Sequence, residues 1–243
     1  MVVPRIIHQT WKNYDIPEKW KKNQETWKKN HPNWKYMYWS DEDNLNLIKN
    51  HYPWFLETFV SYPHNIQRAD AIRPFILYHY GGLYADMDNV CLKNFDDVVQ
   101  KNGVYLVQSS HDNVTNNLMA SSPLHPFWKI VMKNMMKNTK QPFYMPHQLY
   151  ILTSTGTSLI KKSMKIYQGD DIYIFDKEKF NPCSWCEKTC KIDNDNVYTY
   201  TTTDKTWNKG DSIILNHFYC RKNYYLLLFL FLIILWQWRR KNV

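Results

Sequence analysis

His79–Val90 read HYGGLYADMDNV: two glycines, a short apolar stretch, then two carboxylates one residue apart. A buried carboxylate without a partner is costly, so a pair at a strand terminus asks for a cation. On extended backbone, residues two apart point to the same face. That puts Tyr84, Asp86 and Asp88 on one side and Leu83, Ala85 and Met87 on the other. Two converging carboxylates suit a hard divalent ion, Mg²⁺ or Mn²⁺, which prefers oxygen ligands and keeps positions for phosphate oxygens. Such an ion acts as a Lewis acid on a departing diphosphate. A D-x-D alone is common in solvated acidic turns; its weight here comes from the segments around it.

Immediately upstream, NIQRADAIRPFILYHYGG sets Ala69, Ile72, Ile76 and Tyr80 at helical spacing, and Gly81 suits the position just past a helix end. Pro74 is an awkward occupant of that helix and predicts a kink. Asp70 and Arg73 are three apart, hence neighbours on one surface. At the least they form an intrahelical ion pair. Pointed at Asp86 and Asp88, they would place a guanidinium where phosphate or a sugar hydroxyl can be held.

The rest of the chain alternates in the same way. RIIHQTW predicts a strand over residues 5–10, and Trp20 and Trp27 a helical stripe ending at His31-Pro32. WKYMYW predicts a second strand over 34–39, and Ser40 caps a helix running through Ile48. Further strands are predicted at GVYLVQS, NNLMASS, IYIFD, VYTYTT and SIILNHF. Helices are predicted over HPFWKIVMKNMMKN and, as one element, over HQLYILTSTGTSLIKKSMKIY. This rhythm is that of an α/β fold with parallel strand pairing.

The 243 residues fit one large domain better than two small ones. With 11 Trp and 18 Tyr, the chain has wide flat surfaces suited to sugars or nucleobases as well as to a core. The net charge of +9 favours anionic partners, but the lysines are scattered rather than massed, and no nucleic-acid partner is expected. MVVPRIIHQTW does not read as a signal peptide. The end of the chain differs in kind: an apolar run from Tyr224 to Trp236, closed by Arg239, Arg240 and Lys241. It is shorter than the roughly 20 residues that span a bilayer. Flanking Tyr, Trp and basic residues nevertheless predict a membrane-associating tail over 224–243, as a thin transmembrane helix or a partly inserted one, behind a catalytic domain over 1–223. CSWCEKTC, with Cys220 or His217, could supply four zinc ligands; free thiols or disulfides are the other readings. Asn113 begins a glycosylation sequon, NVT, which matters only if the domain enters the secretory pathway.

RIIHQTWK, RADAIRPFILYHYGGLYADMD and NNLMASSPLHPFW together resemble glycosyltransferase family 32, whose members include fungal Golgi initiating mannosyltransferases and mannosyltransferases of inositol phosphorylceramide. The R-x-D-x-x-R…GG-x-Y-x-D-x-D block is also similar to the glucosyltransferase domains of large clostridial toxins. The resemblance runs strongly from Arg5 to His125 and more loosely to His217. It implies a GT-A fold (a Rossmann-like mixed sheet flanked by helices), a nucleotide-sugar donor such as GDP-mannose or a UDP-hexose, Mn²⁺ (or Mg²⁺), and retention at the anomeric carbon. Acceptors in such a family are glycans, lipids or proteins, and a eukaryotic member would belong to Golgi-like endomembranes. By motif position, Asp88 would be the main metal ligand, and Asp86 would contact donor ribose or sugar and reach the metal through water. Asp70 and Arg73 would hold the sugar's hydroxyls, Tyr84 would lie beside the diphosphate, and Trp11 would line the nucleobase pocket. Asn116 and Asn117 would face the sugar or form a turn. Many members close with His followed shortly by Ser-Trp; LNHFYCRKNYY offers His217 as a metal ligand but no Ser-Trp.

Two other readings compete. ADMDNV loosely fits the nucleophile loop of haloacid-dehalogenase phosphatases, with Asp170-Asp171 as a later acidic pair, but leaves Asp70 and Arg73 without a role. A membrane-tethered lectin-like module would use the aromatic surface without turnover.

Overall fold

The computed structural model describes residues 2–109, 113–137, 139–183, 186, 190, 192, 195–202 and 210–241. β-Branched Ile6, Ile7 and Thr10 favour the strand β1 (Ile6–Thr10), and the tryptophan stripe makes α1 (Glu18–Asn30). β2 (Lys35–Trp39) pairs parallel with β1. Ser40 opens α2 (Asp41–His51) through a reciprocal capping box with Asp43. After α3 (Leu56–Ser61) comes the predicted central helix, α4 (Asn65–Tyr80), and then β3 (Gly82–Ala85), parallel to β1. The helix continues through Pro74, whose missing N–H deprives the carbonyl of residue 70 of its helical donor.

The chain proceeds through β4 (Asn89–Cys91), β5 (Val104–Gln108), β6 (Val114–Ser121) and α5 (Pro126–Met135). Next are α6 (His147–Ser154), α7 (Thr157–Ile166), β7 (Ile172–Phe175), α8 (Lys177–Phe180), β8 (Thr199–Thr201), α9 (Asp211–Cys220) and α10 (Lys222–Lys241). The main sheet has the order β2-β1-β3-β6-β5-β7, and β6 runs antiparallel to both of its neighbours. The sheet is therefore mixed rather than wholly parallel. One core lies on the face holding Ile48, Phe75, Ile76, Phe127 and Trp128; the other surrounds Ile7, Trp27, Leu83 and Phe95.

Several expectations are corrected. SIILNHF is not a strand but the body of α9. The long helix expected over 147–167 is two helices, broken at Thr155-Gly156, where a Cβ on Gly156 would approach Leu152 Cα to 2.9 Å. VYTYTT does supply a strand, β8, and it pairs with β4 in a small second sheet. The cysteines form two disulfides, Cys183–Cys190 and Cys186–Cys220, which displace the zinc reading, while Cys91 is free and buried. The apolar tail is helical as α10, starting at Lys222, but among the described residues no helix is long and apolar enough to cross a membrane. The expected transmembrane helix is not found. α10 instead leaves Leu226, Leu227, Phe229, Phe231 and Leu232 more than half exposed.

What aims the central block is the tight passage from α4 to β3. Gly81 and Gly82 both have positive φ, 64° and 92°, and a Cβ on Gly82 would lie 2.6 Å from the carbonyl oxygen of Ile6. The neighbouring strand is locked to this turn by His8. Trp39 Nε1 donates to His8 Nδ1 (3.1 Å), so the ring proton sits on Nε2 and is donated to Gly81 O (2.9 Å). Burial lowers the His8 pKa to about 4, so the imidazole stays neutral and keeps this donor arrangement. Gly82→Ala combines backbone strain with overpacking and is expected to cost about 2–4 kcal/mol, read as a lowered urea midpoint at unchanged slope.

Candidate active site

The strand ends at Ala85, and the two aspartates sit in the turn that follows rather than on the strand itself. Asn89 N–H closes the turn on Asp86 O (3.0 Å), and Met87 is buried with its carbonyl accepting from Asn23 Nδ2 (2.9 Å). Two strands brace the turn from outside: Asp86 N–H donates to Asn117 O on β6 (2.8 Å), and Thr202 N–H, just past β8, donates to Asp88 O (2.8 Å). The small second sheet thus holds the backbone of Asp88 in place. Asn117, Thr201 and Asn89 join the same brace through side-chain hydrogen bonds of 2.9 Å and 2.7 Å.

Arg73 reaches from α4 to the turn and ties the site together. Its Nη1 lies 3.0 Å from Asp70 Oδ1 and its Nη2 3.0 Å from Asp86 Oδ1, while Nη1 also donates to Asn116 O (2.9 Å). Tyr84 OH donates to the same Asp86 oxygen (2.7 Å) and is joined to Thr10 Oγ1 (3.0 Å). Asp70 accepts from Asn116 Nδ2 (3.1 Å) and, more loosely, from Thr155 Oγ1 (3.5 Å) at the end of α6. The expected surface pair of Asp70 and Arg73 is therefore a buried triad with Asp86; the side chains are 8%, 6% and 24% exposed respectively. Asp86 is the open side of the triad.

One guanidinium between two carboxylates leaves negative charge over. Burial, helped by nearby Asp86, raises the Asp70 pKa to about 6 against the pull of Arg73. Asp86 is also raised by burial, opposed by Arg73 and the Tyr84 donor. Burial opposes the charge on Arg73, yet Asp86, Tyr84 and Asp70 together raise its pKa, and it remains a cation. The surplus negative charge, with Asp88 one residue beyond Met87, is of the kind that could hold a hard divalent ion. Among the described residues no three His, Cys, Asp or Glu cluster into a ready-made metal cage. Two carboxylates fit Mn²⁺ or Mg²⁺ in the way such ions bind nucleotides, with phosphate oxygens and water filling the remaining positions.

The other expected site residues are placed as follows. Tyr84 is fully buried behind Asp86, orienting it from within. Trp11 follows β1, packs edge-on to Trp20 with centroids 6.2 Å apart, and its buried indole N–H has no acceptor among the described residues. His217 is corrected: it is exposed on α9, with Tyr225 OH (3.0 Å) and Arg221 as neighbours, and it is not brought to the carboxylates. Asn116 and Asn117 are neither a turn nor free to face a sugar with all their groups, since they serve as β6 braces for Asp70, Arg73 and Asp86. Sequence reasoning missed Thr10 and Thr155, because single threonines at the ends of a strand and a helix carry no spacing signal.

A mixed sheet with a carboxylate turn at the end of a central strand defines the class, a GT-A-like glycosyltransferase fold. The ligand-free glycosyltransferase domain of the YGT toxin shares it, with a TM-score of 0.56 over 72% of this chain and 80% of that one at 8% identity. Residues 17–105 match the family described as a glycosyltransferase sugar-binding region containing DXD motif. The chain is 36% identical over 221 residues to inositol phosphoceramide mannosyltransferase 2 of Schizosaccharomyces pombe, covering 88% of this chain and 61% of that protein. It is 44% identical over 167 residues to a mannosyl phosphorylinositol ceramide synthase of Saccharomyces cerevisiae, covering 69% of this chain and 44% of that protein. These matches bear out the resemblance to the DXD-containing sugar transferases of glycosyltransferase family 32. It spans less than two thirds of the length of these two curated relatives.

Arg73→Met would strand the buried Asp70 and the part-buried Asp86 and is expected to cost about 3–5 kcal/mol near neutral pH. Without the cation the folded-state pKa values of Asp70 and Asp86 rise further above their unfolded values. The variant then keeps its stability at low pH, where both are protonated, and loses it as pH rises through those raised values. Chemical denaturation at pH 5 and pH 7.5 checks this: the deficit against wild type should be smaller at pH 5.

Proposed function

We propose that this chain is a metal-dependent retaining glycosyltransferase that moves a hexose, with mannose favoured, from a nucleotide sugar to a lipid, glycan or protein acceptor. The observation that carries the reading is the Asp70–Arg73–Asp86 triad held at the mouth of a D-x-D turn. Both quoted relatives are named for mannose transfer to inositol phosphoceramide, which favours GDP-mannose as donor and a sphingolipid headgroup as acceptor. Asp88 and Asp86 would hold Mn²⁺ or Mg²⁺, and the bound ion would supply charge neutralisation for the leaving diphosphate. The protein's own part is preorganisation. Arg73 fixes Asp86, Tyr84 fixes the same oxygen from below, and Asp70 and Asp86 offer acceptors to sugar hydroxyls entering from the open side. The partnerless indole N–H of Trp11 supports its assignment to the base or ribose end of the donor.

Membrane association belongs to the same reading. α10 carries Leu and Phe around its circumference, and those from Leu226 to Leu232 are all exposed, so α10 would lie partly inserted in the bilayer interface. The phosphatase alternative finds no support in the triad, because a phosphoaspartate mechanism gives Arg73 and Asp70 no part to play. A non-catalytic glycan-binding module would have no use for a raised carboxylate pair.

Release of nucleoside diphosphate from a panel of nucleotide sugars with Mn²⁺ tests the activity, and release from none of them would refute it. Asp88→Asn should lower that release by about 10³-fold or more, with the thermal midpoint little changed, because the backbone contact to Thr202 survives the substitution. Chelation by EDTA should abolish release and added Mn²⁺ restore it.

A further inference from the structure

Between Asn113 and Gly169 the chain carries seven lysines and no Asp or Glu. At the middle of this stretch the loop before α6 holds Phe143 fully exposed (100%) and Tyr144 72% exposed, their rings 5.4 Å apart. An isolated exposed aromatic is unremarkable, but an adjacent pair at a loop tip, flanked by exposed Lys137 and Lys140, is costly to leave in water. The loop is not loosely attached. Gln141 Nε2 donates to Met145 O (2.8 Å), and Gln141 Oε1 lies 3.2 Å from His64 Nε2.

The loop crosses one end of the molecule, where several helices begin or stop. His64, which caps α4, and His147, the first residue of α6, have ring centroids 4.0 Å apart. Tyr62 OH donates to Met135 O at the end of α5 (3.1 Å). α9 packs on α6 there, with Gln148 Nε2 donating to Asn216 Oδ1 (2.9 Å) and Asp211 within electrostatic reach of His147. Its outward residues Ile213, Ile214 and Phe218 are 60%, 60% and 53% exposed, and Leu149 on α6 is 44% exposed. α10 follows α9 after a single residue, Arg221.

We propose that this end of the molecule is a bilayer-docking face distinct from α10: the Phe143-Tyr144 tip and the outer side of α9 insert among anionic lipid headgroups, with Lys137 and Lys140 beside the tip supplying the electrostatic attraction. The proposal rests on the membrane-associated reading above and deepens it. Aromatic tips at headgroup depth and basic residues facing anionic lipid are the two signatures of an interfacial contact. The geometry also gives the face a purpose. α6 runs from this end to Thr155, the residue that bonds Asp70, so the carboxylates lie about one eight-residue helix, ~12 Å, from the docked surface. A headgroup acceptor would then meet the donor without leaving the membrane plane.

The full chain, mixed with phosphatidylcholine vesicles with or without phosphatidylinositol, tests this by hydrogen exchange and by flotation. Slowed exchange over residues 139–149 on phosphatidylinositol vesicles is expected. The paired substitutions Phe143→Ser and Tyr144→Ser should lower the partition coefficient about tenfold, and Lys137→Gln with Lys140→Gln should remove most of its salt dependence. Protection confined to α10, with unchanged partition of the serine variant, would overturn the proposal. So would a dimer in detergent that the serine pair dissociates, since a second copy of the chain would then cover the face. Should the serine variant fail to fold, exchange on the wild-type chain alone decides the matter. Nucleoside diphosphate release in detergent is read in parallel: its loss in the wild type would count against the transferase reading, and the vesicle results against the docking face.

Discussion

The site depends on one guanidinium. Arg73 is buried between Asp70 and Asp86, and neither carboxylate could occupy its position at acceptable cost without it. Because the two partners come from α4 and from the turn after β3, the same ion pairs fix the helix against the strand end. Structure and chemistry share a single constraint here. On the proposed reading, the charge left over after Arg73 is satisfied would make the turn a place for a divalent ion and a diphosphate.

The fold delivers this arrangement through a short passage with no room for side chains. Gly81 and Gly82 take the chain from the end of α4 into β3 within van der Waals contact of β1, and neutral His8 stitches the turn to its neighbour. β6 then approaches antiparallel and lends the carbonyls of Asn116 and Asn117 to Arg73 and to the Asp86 amide. The small β4–β8 sheet fixes Asp88 from the far side. A backbone carbonyl is a fixed dipole that needs no reorganisation as charge develops, and two of the braces on the triad, from Asn116 and Asn117, are of that kind.

Much of this was legible in the chain because it was local. The helix over 65–80, the glycine stop, the strand before the aspartates and the neighbouring of Asp70 with Arg73 all follow from spacing. The resemblance named a DXD-containing sugar-transferase family, and the family match over residues 17–105 agrees with it. What could not be read was set by partners distant in sequence. Alternation alone put Asp86 and Asp88 on a strand, but the bond from Asn89 to Asp86 O folds them into a turn. SIILNHF has strand-like composition over too short a run to choose a period, and its contacts with α6 hold it helical. His217 shared the chemistry of a ligand without the location. The cysteines left several readings open until their pairing across 34 residues was seen, and Thr155 gained a role only through a helix break that brings it to Asp70.

The most direct test is crystallographic: soak crystals with Mn²⁺ and GDP and collect at the manganese edge. The account predicts an anomalous peak beside Asp86 and Asp88, in contact with the diphosphate, while Arg73 keeps its bridge between Asp70 and Asp86. A diphosphate bound elsewhere, or a site without manganese in the presence of bound nucleotide, would contradict it.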